Sequence, residues 1–186
     1  MLTIRPAEWP WDVPVLAAID TSFTTDRIYR PVQEEFSFRL VEEAIRPSLT
    51  QHYRFDPSDP AERRNWDFTA IAEAEDELAG FAAAQYSAWN RRVALWHLYV
   101  MPRYRRQKVG TQLLRAVDDF AHSAQARCVW LETQNTNYPG IQFYRRAGFA
   151  FCGFDESLYD PANQEREEVA LFFARPVIAS SRREPL

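Results

Sequence analysis

The chain has 186 residues, a length that suits one domain of ordinary size. Hydrophobic residues make up 46% and aromatics 15%, enough for a substantial core, yet no run approaches the roughly 20 apolar residues of a membrane span. The formal net charge of −4 speaks against a general nucleic-acid binder, whose footprint is a strongly basic surface.

In chain order, Leu2–Arg5 reads as a first strand ended by Pro6. Acids and the lack of a long apolar run in this opening stretch exclude a signal peptide. Asp12 suits a helix N-cap, with Pro14 in the first turn. Val15, Leu16, Ile19 and Phe23 form the apolar face of that helix, and Thr24-Thr25-Asp26 closes it. The segments 28–32 and 36–41 alternate and predict a hairpin or a strand with a loop. The stretch 45–65, with its prolines and charges, predicts a surface loop or a short helix.

Strands are expected over 67–74 and 78–89, joined by the acidic turn Glu75-Asp76-Glu77. Asn90-Arg91-Arg92 then turns the chain into a strand over 93–100, giving an antiparallel meander. A helix over 109–124 leads to a strand over 128–133, so the strands on either side of that helix should run parallel. A second helix over 139–147 stops at Gly148 in a C′ position. Closing strands are expected over 149–159 and 168–174, linked through the turn 160–163. Residues 1–176 thus read as a single domain of the α/β class built on a mixed sheet, and 177–186 as a polar tail. Cys128 and Cys152 lie in apolar strand-like runs and are expected as buried free thiols in a cytoplasmic protein. No Cys/His cluster suggests a metal site.

The stretch from Val93 to Arg115 organises the rest. An apolar strand runs into a Pro-broken turn, a basic loop with Arg103, Arg105, Arg106 and Lys108, and a helix starting near Val109–Gly110. First-turn amides have no partner in their own helix, and the helix dipole adds partial positive charge. With cations just upstream, this is the physics of a pyrophosphate cradle.

Two motifs carry a resemblance. Arg105-Arg106-Gln107-Lys108-Val109-Gly110 resembles the Q/R-x-x-G-x-G/A acyl-CoA signature of the GNAT superfamily of N-acetyltransferases, with Lys108 in place of the first glycine. Asn137 through Phe149, NYPGIQFYRRAGF, resembles the family's N-x-x-A-x-x-x-Y-x-x-x-G-F segment, with Gly140 in place of alanine. The resemblance implies the GNAT fold, a mixed sheet whose central parallel pair splays apart, and acetyl-CoA as co-substrate. It implies that the pantetheine arm adds to the backbone of Leu98, Tyr99 and Val100 like an extra strand. Arg105, Arg106, Gln107, Lys108, Val109, Gly110 and Thr111 would then hold the pyrophosphate, and Asn137 would touch the CoA arm.

The implied reaction says which groups are needed. An amine with a pKa of about 10.4 is protonated at neutral pH, so a base must free its lone pair. The thioester carbonyl becomes an oxyanion, for which a strand N–H is an economical donor. The leaving thiolate departs faster if an acid protonates it. Tyr144 is placed by the motif for that acid role. Glu132, in Trp130-Leu131-Glu132-Thr133, is the first choice for the base, since a carboxylate in an apolar strand has its pKa raised. A structural ion pair with Arg91, Arg92 or Arg127 is its alternative. His97 on the central strand is the second candidate base, or else a packed core histidine. His52 and His122 read as surface residues.

For the acceptor, Ser22–Asp26, Tyr86–Arg92 and Cys152–Asp160 resemble a narrower group, the streptothricin acetyltransferases, which acetylate an amine in the β-lysine part of the antibiotic. That group tends to carry acids on the central strand, where this chain has Trp96, His97 and Tyr99. Asp26 and Asp155, with the aromatic faces of Trp89 and Tyr159, suit a small cationic amine. A homodimer is compatible with the family. A peptide N-terminus as acceptor, and an acyl-CoA-binding module without turnover, are the competing readings.

Overall fold

The computed structural model describes residues 1–160, 162 and 168–177. Pro161 and Asn163 of the expected turn, and the tail beyond Val177, lie outside the described residues. A seven-stranded sheet has the order β1 (Leu2–Arg5), β4 (Phe68–Ala74), β5 (Glu77–Ser87), β6 (Arg92–Val100), β7 (Cys128–Gln134), β9 (Ala170–Pro176), β8 (Ala150–Asp155). A separate two-stranded sheet pairs β2 (Phe23–Glu34) with β3 (Ser37–Gln51).

The meander β4–β5–β6 is antiparallel, as the turn residues predict. Glu75 and Asp76 both take positive φ, 54° and 61°, which a two-residue hairpin needs to match strand twist. Helix α3 (Val109–Ser123) carries the chain across to β7, which runs parallel to β6. Its buried residues Val109, Leu113, Leu114, Val117 and Ala121 form one stripe at helical spacing and pack on β5. The helix can lie close to the sheet because Gly80 has no side chain: a Cβ there would sit 2.6 Å from the Tyr99 carbonyl oxygen and 3.0 Å from Leu113 Cδ1. The opposite face of β5 is covered by α1 (Val13–Ala17) and a second core of Leu16, Ile71 and Phe81. Among the described residues no helix is long and apolar enough to cross a membrane.

Four expectations need correcting. The first helix ends at Ala17, and Phe23 through Asp26 begin β2 instead. Phe23, Thr25 and Tyr29 are buried on the strand, so tertiary packing overrides the helical spacing. Asp12 sits at the N-cap position without capping: its carboxylate accepts from Arg5 Nη1 (2.7 Å) and Nη2 (2.8 Å). The expected hairpin is present but far longer, since β3 runs on through Gln51 into the stretch read as a loop. Only Pro60–Arg63, here α2, is helical there, capped by Asp59, which accepts from Ala61 N at 2.7 Å. Finally, Cys128 and Cys152 are free thiols, but Cys152 is exposed because it faces out beside the bulge in β8.

The hairpin is fastened to the main body through Tyr29 and Asn135. Tyr29 N donates to Asn135 O (2.9 Å), and Asn135 Nδ2 donates to Tyr29 O (2.9 Å). Asn135 Oδ1 accepts from Val169 N at 3.0 Å. The Tyr29 hydroxyl accepts from Gln142 Nε2 (2.8 Å) and Arg145 Nη1 (2.9 Å), both on α4 (Tyr138–Arg146). Gly148, with φ +87°, ends α4 in the left-handed C′ position that glycine adopts without a Cβ clash.

Candidate active site

The parallel pairing of β6 with β7 lasts only from Arg92/Cys128 to Leu95/Leu131. Beyond it β6 bulges at Trp96, where the register with β5 jumps from Ala84↔Leu95 to Ala83↔His97. Past that point β7 stays with β9 while the second half of β6 pairs only with β5. The two strands therefore part like a V, and a cleft of about 880 Å³ opens between them. His97, Leu98, Tyr99 and Val100 line one wall, Glu132 and Thr133 the other.

At one end lies the basic loop. Pro102–Tyr104 form a 3₁₀ turn locked by the buried Tyr104, whose hydroxyl donates to Ala74 O at 3.0 Å. Arg105 braces the loop from its side chain, with Nε donating to Val100 O (3.1 Å) and Nη2 to Ser22 O (2.5 Å). Gln107 is likewise turned back onto Arg103 O at 2.7 Å. Arg106 and Lys108 both take φ of +67°, the left-handed region, with Gln107 between them outside it. Such alternation makes a concave nest of backbone N–H groups. So the position where the signature has glycine does need positive φ, and Lys108 occupies it at a steric cost. Lys108 supplies no side-chain cap to α3, and the first helical bond is Gln112 N to Lys108 O at 3.0 Å. The amides of Val109, Gly110 and Thr111 therefore have no acceptor within α3, and these residues line the cleft end. A Cβ on Gly110 would lie 3.4 Å from Phe143 and 3.5 Å from Val100, so β6, α3 and α4 converge here. Nest, bare helix start and the cations Arg106, Lys108 and Arg146 fit a diphosphate.

Helix α4 begins differently. Asn137 Oδ1 accepts from Gly140 N at 3.1 Å, and its Nδ2 donates to Thr133 Oγ1 on β7 at 3.0 Å. A Cβ on residue 140 would lie 2.6 Å from the Asn137 amide, so glycine in place of the family's alanine leaves room for this cap. The helix presents Tyr144 to the cleft, its ring edge-on to Phe143 and Phe149 with centroids at 5.5 and 5.8 Å. Burial, and then the nearby Glu132 carboxylate, push the Tyr144 phenol well above its ordinary value, so it holds its proton at neutral pH.

Across the cleft stands Glu132. Burial raises its pKa, the hydrogen bond from the Tyr159 hydroxyl opposes that, and Glu168 nearby adds to the rise. The three arginines considered as its partners are engaged elsewhere. Arg91 donates to Gln125 O (3.0 Å), Arg127 donates to Asn90 O (2.8 Å), and the Arg92 guanidinium lies over Trp130 at 5.1 Å. His97 packs among Phe55, Trp66, Phe81 and Tyr99, its Nδ1 3.3 Å from the Tyr99 hydroxyl. Burial lowers its pKa to about 4, so it is neutral over most of the working range and a weak base.

Of the residues expected to meet the acceptor, Tyr159 reaches Glu132. Tyr159 itself, Asp26, Trp89 and Asp155 are all absent from the lining of the cleft. Asp26 is exposed on β2, and Trp89 is 86% exposed on the β5–β6 turn. The Asp155 carboxylate accepts from Ser157 N and Oγ, both at 2.7 Å, the local use that an acid in a turn commonly finds. Sequence reasoning missed Tyr53 and Asp20, which both line the cleft. Tyr53 comes from the charged, Pro-rich stretch read as surface loop, and it is placed only by tertiary contacts. Thr21 Oγ1 donates to Tyr53 O (2.7 Å) and accepts from Tyr53 N (3.1 Å), and the ring lies 5.7 Å from Phe23.

Residues 32–149 match the model of the acetyltransferase (GNAT) family. The chain is 38% identical over 174 residues to a streptothricin acetyltransferase of Streptomyces lavendulae, covering 90% of this chain and 91% of that one. The crystal structure of nourseothricin acetyltransferase superposes with a TM-score of 0.83 at 36% identity, over 95% of this chain and 98% of that chain. A protein of Bacillus anthracis assigned as a streptothricin acetyltransferase, crystallised with acetyl coenzyme A, gives a TM-score of 0.78 at 25% identity, over 95% and 99% of the two chains.

Proposed function

The chain is an acetyl-CoA-dependent N-acetyltransferase of the GNAT family, and from that premise we propose that its acceptor is a small cationic amine of streptothricin type. The observation that carries this reading is the opposite polarity of the two ends of the cleft. One end offers the nest, the bare α3 amides and three cations. The other offers the half-buried Glu132 carboxylate, bonded by the Tyr159 hydroxyl and with Glu168 nearby, a place for an ammonium. The S. lavendulae relative, similar over nine-tenths of both chains, supports the antibiotic class.

In this reading Glu132 takes the proton of the incoming ammonium. Its raised pKa narrows the gap to the amine, and desolvation of the ammonium narrows it from the other side. A backbone N–H of the half of β6 that has parted from β7 donates to the acetyl oxygen as charge develops there. Tyr144, neutral by virtue of burial, gives its proton to the sulfur as the C–S bond breaks, and the second proton shed by the nitrogen on forming the amide restores the phenol. His97 serves as wall rather than base. A cytoplasmic location belongs to the same proposal, supported by the free thiols of Cys128 and Cys152.

A panel of acceptors incubated with acetyl-CoA and read by mass shift tests the assignment. Streptothricin, β-lysine-like diamines, monoamines and short peptides make up the panel. The expected result is a mass gain of one acetyl group on streptothricin and the diamines. Acetylation confined to peptide N-termini would overturn it.

A further inference from the structure

The segment after the hairpin places a second phenol beside the reacting groups. The Tyr53 hydroxyl is fully enclosed and has no hydrogen-bond partner among the described groups. Burying a hydroxyl without a partner is unfavourable, so such a group calls for a water, an ion, a ligand or a reaction that uses it, and a hydroxyl on the cleft wall is where a ligand can do so. The surroundings narrow that use. The ring lines the same cleft as Tyr99, Tyr144 and Glu132, and the phenol lies within electrostatic reach of all three and of Glu168. Tyr144 marks where the sulfur leaves in the proposed reaction, and Glu132 marks where the ammonium gives up its proton. The atom that lies between those two events is the acceptor nitrogen.

We propose that the Tyr53 hydroxyl is the group that orients this nitrogen, accepting one of its N–H bonds so that the lone pair freed by Glu132 faces the acetyl carbon. The inference rests on the amine-acceptor reading above and adds a residue to it. The amine left after Glu132 takes its proton has two N–H bonds and one lone pair. With one N–H bond held by Tyr53, the lone pair can no longer rotate away, a gain of orientation rather than of affinity for the carrier. The backbone of Tyr53 is fixed for this by its two bonds to Thr21, and the ring by Phe23. Tyr53 shares none of the loop that suits the diphosphate.

Tyr53→Phe separates the roles. The expected result is a fall of about tenfold to a hundredfold in kcat/KM for the amine, the size seen when a positioning hydrogen bond is lost. The dissociation constant of acetyl-CoA should stay unchanged, because Tyr53 takes no part in the diphosphate loop. The melting temperature should hold or rise, because an enclosed hydroxyl without a partner has been removed. Unchanged kcat/KM for the amine overturns the inference. So does a joint loss of melting temperature and acetyl-CoA affinity, which would mark the hydroxyl as structural. Wild-type protein run alongside distinguishes the two readings: no amine turnover in the wild type overturns both, whereas normal wild-type turnover with an indifferent variant overturns only the role of Tyr53.

Discussion

Helices α3 and α4 both aim their first turns at the cleft, yet they begin in opposite ways. Helix α4 is closed by the side chain of Asn137, which also reaches across to β7. Helix α3 starts from Lys108 in a left-handed conformation with no side-chain cap. A cap consumes the very amides that an anion would use, so the two starts serve different ends. Helix α3 keeps its backbone available, at a cost in local strain. Helix α4 gives up its amides to be held still, because what it offers is a side chain, Tyr144.

The comparison makes its largest prediction at Tyr144. If α4 exists to hold one phenol, Tyr144→Phe should cut turnover by about a hundredfold or more, within the range of general acid catalysis. The affinity for acetyl-CoA, measured by calorimetry, should be unchanged, since the diphosphate belongs to α3. A fall of less than about threefold would remove Tyr144 from the chemistry. Next in size is Asn137→Ala. Loss of the cap should destabilise the protein by about 1 kcal/mol, seen as a fall in melting temperature of about 2–4 °C. Turnover should fall too, but less than for Tyr144→Phe, because the phenol is loosened rather than removed.

Lys108→Gly tests the other helix start, and here stability and binding should move in opposite directions. Glycine takes φ of +67° without a Cβ clash, so the variant should gain up to about 1 kcal/mol, partly offset by the greater freedom of glycine in the unfolded chain. Acetyl-CoA should bind about two- to fivefold more weakly, since a cation next to the diphosphate is lost. Tighter binding in Lys108→Gly would mean that the strained loop obstructs the ligand.

The same contrast explains how far the sequence could be read. Both helix starts were legible because each is written in neighbouring residues: the basic run before Gly110, and Asn137 with Gly148 bracketing α4. The parallel pair followed from the helix between its strands, and the splay from the family resemblance. The acceptor end was not legible in the same way. Tyr53 and Glu132 lie far apart in sequence and come to line one cleft only because β3 runs on through a stretch whose prolines and charges read as loop. The helix expected to reach Phe23 failed for a related reason: Phe23, Thr25 and Tyr29 find burial on a strand whose partner lies beyond the local window. Asp26, Trp89 and Asp155 share a chemical type that suits a cation, but turn geometry and exposure send each elsewhere. Tyr159 shares that type, and the fold brings it to Glu132.

That last contact gives the smallest effect and the finest test. The Tyr159 hydroxyl donates to Glu132, which favours the charged carboxylate, while burial favours the neutral acid and wins. If Glu132 is the base, kcat/KM for the amine rises with pH as Glu132 loses its proton, and this limb reports the free enzyme. Tyr159→Phe removes the one influence holding that pKa down. The acid limb should therefore move to higher pH, with activity lost first on the acid side of the optimum and recovered as pH rises. Were His97 the base instead, the limb would lie near pH 4, where burial has placed its titration, and Tyr159→Phe would leave it in place. Were Glu132 a structural acid only, neither the limb nor its position would respond to either Glu132→Gln or Tyr159→Phe. A pH profile of the wild type and these two variants therefore assigns the proton at the acceptor end of the cleft, the end whose residues the chain brings together from farthest apart.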